Sequence, residues 1–274
     1  MNRSLWRAKT ETSGSLRPGS SSMKRKFLAP VIVACGVFLL GQATLAAEMS
    51  QQQRRDIEAV IKDYLIRNPE VIKEALEELE RRQSAAAAAK TKQVITARGQ
   101  EIFRTKEDLV LGNPDGKISV VEFFDYNCGY CKRALPEVSK LIESDKDVRV
   151  VIKEFPILGP ASVFAAKAAL ASRNQGKYVE FHDALTGIEG VKDEASVMAA
   201  AQAIGLDIPR LKADMETEAV ADVIRRNYSL AEALSINGTP SFVIDETLEP
   251  GYVSFEVLAQ HVSTVRQNGG CKVC

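Results

Sequence analysis

The sequence predicts an α/β fold in which one sheet is interrupted by an inserted block of helices and preceded by a helical arm. Three observations carry this. Residues 118–124 (Ile-Ser-Val-Val-Glu-Phe-Phe) form a β-branched and aromatic run of buried-strand character. A helical pattern from Cys128 to about Ser144 and a second strand-like run at 148–155 follow, making a β-α-β unit with a parallel pairing and a crossover helix. Strand character returns at 239–245, after a helical stretch from Gly159 to about Leu234, so the sheet is completed by residues on the far side of an insertion.

The elements follow in order. Lys24, Arg25 and Lys26 precede an apolar run from Phe27 to Leu40, and small residues lead to Ala46 and Ala47. That is the architecture of a secretory signal peptide, shorter than the ~18 apolar residues a membrane-spanning helix needs. Residues 1–46 are therefore expected to be an upstream extension plus a removed leader, with Met23 as the true start. An exported, periplasmic protein is implied. Ile32-Val33-Ala34-Cys35 resembles a lipobox, but the apolar run continues past Cys35, which favours the leader.

Residues 47–105 read as a helical arm. Ile57, Val60, Ile61, Tyr64 and Leu65 make one apolar stripe, and Asn68-Pro69-Glu70 reads as a fresh helix start with Asn68 as N-cap. Val71, Ile72, Ala75, Leu76 and Leu79 follow, then dense charge and Ala85 to Ala89. A narrow stripe without its own core must meet another surface, and an oligomerisation stalk suits this composition. The main domain is expected over 106–267, after the turn cluster Gly112-Asn113-Pro114-Asp115-Gly116. Its helical insertion, about 159–234, resolves into helices at 163–172, 176–185, 193–204 and 208–234, with Asp193 as an N-cap and Gly205 as a stop. A short strand at 251–253 and a helix at 255–267 close the domain. Residues 268–274 are expected to be a flexible tail: Asn268-Gly269-Gly270, then Cys271-Lys272-Val273-Cys274.

The chain's 36 basic and 36 acidic residues cancel, so no overall field draws it toward nucleic acid or an anionic membrane, and no nucleic-acid partner is expected. Its chemistry lies in cysteine. With Cys35 in the leader, the mature chain holds two Cys-x-x-Cys pairs, Cys128/Cys131 and Cys271/Cys274. The first opens a helix directly after a buried strand, where unpaired N–H groups and the helix dipole stabilise a thiolate. Cys128 is then an exposed nucleophile of lowered pKa, and Cys131, one turn inward, the resolving thiol. A zinc site would need two further ligands, but the second pair is too distant for ribbon spacing and His182 and His261 form no cluster with it. Haem attachment would need His where Lys132 stands. No metal and no cofactor beyond a redox-active Cys128–Cys131 disulfide are expected.

Glu122 interrupts the apolar strand, and alternation points it beneath the helix, where a raised pKa would let it exchange a proton with Cys131. Its plain reading is an edge-facing glutamate. Gly238-Thr239-Pro240 leads into a strand, where Pro suits a tight turn and a cis bond. Cys271 and Cys274 read as an accessory redox pair that exchanges with Cys128, as a copper(I) chelate, or as a passive tail disulfide. His182 and His261 take ordinary surface or packing roles.

Residues 121–132 (Val-Glu-Phe-Phe-Asp-Tyr-Asn-Cys-Gly-Tyr-Cys-Lys), 154–160 (Glu-Phe-Pro-Ile-Leu-Gly-Pro) and 238–242 (Gly-Thr-Pro-Ser-Phe) together resemble the DsbA-like branch of the thioredoxin superfamily, close to the bacterial ScsC and Com1-type proteins. The resemblance implies a thioredoxin fold with a helical insertion. It implies Cys128 as attacking thiol, Glu122 as the family's buried acid, and Pro240 as its cis-proline, with Thr239 holding substrate peptide by backbone pairing. Gly129-Tyr130 departs from the Pro-His of DsbA and supplies no positive charge, so a potential between roughly −120 mV (DsbA) and roughly −270 mV (thioredoxin) is expected. Gly-Tyr, with Tyr130 as part of the site, and Thr before Pro are shared with the isomerase DsbC. The resemblance therefore implies a periplasmic thiol-disulfide oxidoreductase, in first place a disulfide isomerase or reductase. It would act on exported cysteine-containing proteins, exchange electrons with a membrane reductant or oxidant, and form homo-oligomers through 47–105. A dithiol oxidase that donates disulfides and a copper(I)-binding chaperone are the alternatives.

Overall fold

A computed structural model describes residues 49–274. The expected leader, including Met23 and Cys35, lies outside the described residues. The chain divides into two units, one ending at Ile61 and the other Lys62–Cys274. Helix α1 (Gln51–Arg67) buries no side chain, and Ile57, Val60 and Ile61 are exposed. Among the described residues no helix is long and apolar enough to cross a membrane.

Helix α2 (Glu70–Ala97) begins after Pro69, with Glu70 in its first turn as expected. Asn68 does not cap it. The Asn68 side chain donates to the Tyr64 carbonyl (2.8 Å) and closes α1 instead. Ile72, Leu76 and Leu79 on α2 are exposed, whereas Ile95 is fully buried, as are Ile102 and Phe103 of α3 (Gly99–Phe103). These three share a cluster with Val121, Phe123 and Val151. The domain expected from residue 106 therefore begins earlier, because the end of α2 and all of α3 cover one face of its sheet.

The sheet holds β1 (Leu109–Gly112), β2 (Ile118–Phe124), β3 (Val148–Glu154), β4 (Ser241–Ile244) and β5 (Thr247–Pro250), in the order β1-β3-β2-β4-β5. The β2–β3 pair is parallel, as the β-α-β reading requires, and every residue of both strands is buried. Strand β4 pairs antiparallel with β2, setting Phe242 opposite Glu122. Strand β1 escaped the sequence reading because it is four residues long behind charged Lys106, Glu107 and Asp108. The last strand lies at 247–250 rather than 251–253. Asp245 adopts a positive φ (48°), so the chain reverses directly after β4 and Thr247 already faces Ile244.

Helix α4 (Gly129–Ser144) crosses between β2 and β3. The insertion comprises α5 (Pro160–Ser172), a 3-10 turn, α6 (Tyr178–Gly187), α7 (Glu194–Ala203), α8 (Ile208–Met215) and α9 (Glu218–Ala233), and α10 (Phe255–Gln267) closes the fold. Asp193 caps α7 through Ser196 N–H (2.9 Å), and Gly205 (φ 73°) ends that stretch. The single helix expected over 208–234 breaks at Glu216-Thr217. Thr217 is extended (φ −72°, ψ 147°), and its hydroxyl donates to the Asp214 carbonyl. One sheet face, bearing Val120 and Phe124, is buried with α4, α10 and the insertion; the other, bearing Val121 and Phe123, meets α3 and α9.

Candidate active site

Strand β2 ends at Phe124, and four residues later the chain enters α4 with Cys128 at its N-cap in an extended conformation. The intervening turn is held from within. The Cys128 N–H donates to the Asp125 carbonyl (3.0 Å), and the Asp125 carboxylate accepts from the N–H groups of Asn127, Ile157 and Leu158 (2.8–3.0 Å). Asn127 accepts from Lys192 N–H (2.6 Å) and donates to the Ser162 hydroxyl (3.2 Å), which ties the turn to the insertion. Sequence reasoning missed both residues. The signal was there, since an Asp and an Asn in the tight turn between a buried strand and a helix are residue types that hydrogen-bond nearby backbone.

Cys128 and Cys131 are unbonded to each other in the structure. Cys128, expected as an exposed nucleophile, keeps 7% exposure, while Cys131 is fully enclosed. Their acidities diverge. The Cys131 thiol bonding toward Cys128 is the largest cause of a Cys128 pKa pushed down to about 5; burial opposes it, and the Thr239 side chain and the N–H groups of Cys131 and Tyr130 assist it. Burial first, then the neighbouring Cys128 and Glu122, drives the Cys131 thiol far up. The pair thus consists of a ready thiolate and a strongly held proton.

Glu122 shares its strand face with Val120 and Phe124, the face that packs against Cys131. It is 1% exposed, its Oε1 has no hydrogen-bond partner, and burial followed by the Cys128 charge lifts its pKa to about 8. The edge-facing alternative is therefore discarded: β2 has β3 on one side and β4 on the other. Thr239 and Pro240 sit directly before β4. Their peptide bond is cis, and the Thr239 carbonyl lies 3.1 Å from Cys128 Sγ. The Pro240 carbonyl is taken by Gly251 N–H. Tyr130 is 57% exposed with the Arg133 guanidinium 4.9 Å from its ring centre; only its backbone reaches Cys128.

A second buried group was not foreseen. Glu154 Oε1 accepts from the hydroxyls of Tyr126 (3.1 Å) and Tyr178 (3.0 Å), and the Tyr126 hydroxyl also meets His182 Nδ1 (2.9 Å). Burial lifts Glu154 to about 8 and depresses His182 to about 4, so the imidazole is neutral at physiological pH. His182 is thus an interior hydrogen-bonding residue, whereas His261 pairs with Glu249 (2.9 Å) near the surface.

The structure does not bring the two cysteine pairs together. Cys271 and Cys274 are joined to each other and lie at Asp245, beyond one end of β4, while Cys128 lies at Thr239, beyond the other. Six residues of extended chain span roughly 20 Å. Nor is 268–274 a free tail: Asp245 Oδ1 accepts from the N–H groups of Lys272 (2.8 Å) and Val273 (3.3 Å), and Val273 packs on the cluster beneath the sheet.

Residues 119–263 match the family described as DSBA-like thioredoxin domain, and residues 53–86 match the Copper resistance protein ScsC N-terminal domain. The chain is similar to a thioredoxin-like oxidoreductase of Silicibacter pomeroyi DSS-3, with 48% identity and a TM-score of 0.60, covering 61% of this chain and 97% of that one. It is similar to Proteus mirabilis ScsC in a transitional conformation, with 27% identity and a TM-score of 0.58, covering 81% and 99%. Among curated proteins it is 30% identical over 159 residues to Na(+)/H(+) antiporter NhaA 1 of Salinispora arenicola, where the match covers 57% of this chain but 24% of the antiporter. The chain thus spans about a quarter of the length of those first curated relatives.

Proposed function

From its membership of the DSBA-like thioredoxin domain family, to which this chain belongs as a thiol-disulfide oxidoreductase, we propose that it works as a disulfide isomerase or reductase on exported proteins. The observation that carries this is the surrounding of Cys128. Its thiolate is supported by the Cys131 thiol, Thr239 and backbone N–H groups, with no cationic side chain from the Gly129-Tyr130 dipeptide. A thiolate stabilised without a cation remains a good nucleophile and leaves the disulfide less oxidising than a Pro-His site would.

The reaction runs by exchange. Cys128 thiolate attacks one sulfur of a wrong substrate disulfide, forming a mixed disulfide, and the other substrate sulfur leaves as thiolate. In isomerisation a further substrate thiolate attacks the mixed disulfide and restores Cys128 with no net change in oxidation. In reduction Cys131 loses its proton and attacks Cys128 Sγ, which releases the second substrate thiolate and closes the Cys128–Cys131 disulfide. Glu122 fits the proton's destination. Once Cys128 is bonded its charge is gone and one cause of the raised Glu122 pKa disappears, so a larger fraction of the carboxyl is ionised and free to take the Cys131 proton. Thr239 and Pro240 are the proposed docking edge for an extended substrate strand.

Exposed Ile72, Leu76 and Leu79, at helical spacing in a region that matches the ScsC N-terminal domain, support a homo-oligomer built through the arm. A periplasmic location and a membrane redox partner belong to the same proposal and rest on the leader read in 1–46. The test is refolding of a scrambled multi-disulfide substrate by the full chain and by a chain lacking 49–82, a cut that spares buried Ile95 and Ile102. Reshuffling by the full chain that falls with the arm's removal, while exchange with a small disulfide persists, supports the proposal. A full chain that oxidises reduced substrate quickly yet fails to reshuffle wrong disulfides overturns it.

A further inference from the structure

The C-terminal cysteine pair is built into the fold more firmly than a tail disulfide requires. Gly269 and Gly270, both at positive φ (93° and 101°), turn the chain back after α10. Lys272 then pairs with Glu246 (3.2 Å), which also pairs with Lys92 of α2 (2.7 Å). The Arg104 guanidinium donates to the Cys274 carbonyl (2.5 Å), and the Val273 carbonyl lies against Gly99, where any side chain would meet it at 2.8 Å. These contacts fix the backbone of 271–274 whether or not the sulfurs are joined.

What they fix is a set of donor atoms. Cys271 Sγ, Cys274 Sγ and a carboxylate oxygen of Asp245 all lie within 4.8 Å of one another. Asp245 is 7% exposed, so this carboxylate is mostly withdrawn from water and aimed at Cys271 Sγ (3.4 Å). The Cys274 N–H points at Cys271 Sγ (3.1 Å), and an N–H directed at sulfur stabilises the thiolate form that ligates metals. We propose that the reduced Cys271–Cys274 pair and Asp245 form a zinc site, separate from the Cys128 centre, with two thiolates, one carboxylate and a fourth position open to water.

The donor set selects the ion. Two thiolates with a carboxylate suit a borderline divalent cation that accepts tetrahedral S₂O coordination, which is Zn²⁺. Copper(I), satisfied by two sulfurs, has no need of Asp245. The chemistry balances. A dithiol reductant gives two electrons and two protons to the Cys271–Cys274 bond and itself becomes a disulfide; Zn²⁺ binding then releases both protons from the new thiols. The sulfurs separate to roughly 3.8 Å across the metal, the spacing set by Zn–S bonds of about 2.3 Å. Disulfide and zinc would then be alternative clasps on one anchored segment.

The test uses the full chain carrying Cys128→Ser and Cys131→Ser, so that the only remaining described thiols are in the tail. It is reduced with a phosphine, desalted without oxygen and titrated with Zn²⁺ against a chromophoric chelator, then with Co²⁺. The expected result is one Zn²⁺ per chain and the visible bands of tetrahedral Co²⁺. Adding Cys271→Ser abolishes both, and Asp245→Asn weakens Zn²⁺ at least about tenfold, with copper(I) affinity unchanged. Circular dichroism of each variant in its metal-free form checks that the fold is kept. No Zn²⁺ retained by the folded background chain, or retention indifferent to Asp245→Asn, overturns the site.

Discussion

Replacing Glu122 by Gln should change how the protein's stability depends on pH, and the sign follows from burial. In the folded chain Glu122 titrates at about 8, against an ordinary value of 4.5. Below pH 4.5 the carboxyl is protonated in both folded and unfolded states. Between about 4.5 and 8 the unfolded carboxyl ionises while the buried one keeps its proton, so unfolding releases a proton and stability falls as pH rises. At about 1.4 kcal/mol per pH unit over about 3.5 units, the loss reaches about 5 kcal/mol, complete above pH 8. Glutamine has the same shape and no such titration. Urea unfolding followed by circular dichroism from pH 4 to 9, in wild type and Glu122→Gln, reads the difference directly. Wild type should lose stability relative to the variant across that window. The loss should be smaller in the oxidised protein, where the Cys128 charge is absent and burial alone acts. The same variant should slow closure of the Cys128–Cys131 disulfide from a mixed disulfide by about 10²-fold, since a proton acceptor for Cys131 is gone. A stability difference that stays flat with pH would show that Glu122 is solvated or paired, and the proton-transfer role would fall with it.

Cys131→Ser should trap Cys128 in mixed disulfides with substrate, visible as covalent adducts on non-reducing gels, whereas Cys128→Ser should trap none. Gly129→Pro together with Tyr130→His should raise the reduction potential by about 30–60 mV in a glutathione redox titration, because a histidine beside Cys128 favours the thiolate. The helix start accepts proline, and a side chain at Gly129 meets nothing within 4 Å, so an unchanged potential would refute the reading of the dipeptide. Lys153→Met should cost about 3–5 kcal/mol in urea unfolding, because it strands Asp108, now bonded to Lys153 Nζ at 2.5 Å with both side chains buried.

The placement of Cys128 and Cys131 at a helix start and the burial of Glu122 were legible in the chain because each is a local pattern. A Cys-x-x-Cys after a buried strand lands on a helix N-terminus whatever the rest of the fold does. Period-two alternation put Glu122 on the face of β2 that meets that helix. The helical insertion and α10 were legible for the same reason, through apolar spacing, Asp193 and Gly205. What tertiary structure alone decided concerns which surfaces meet. Ile95, Ile102 and Phe103 look on paper like a continuation of the exposed stripe at Ile72, Leu76 and Leu79, and only the sheet they cover makes them core. Asp125, Asn127 and Glu154 take their meaning from partners 24 to 65 residues away. The cysteines at 271 and 274 read as an accessory to Cys128, a copper(I) chelate or a passive tail disulfide, and only the fold, with Asp245 at the opposite end of β4 from Thr239, set them apart from Cys128. Spacing along a chain reports which side of an element a residue occupies; it carries no information about what lies against that side, because packing is settled by the collapse of the whole domain.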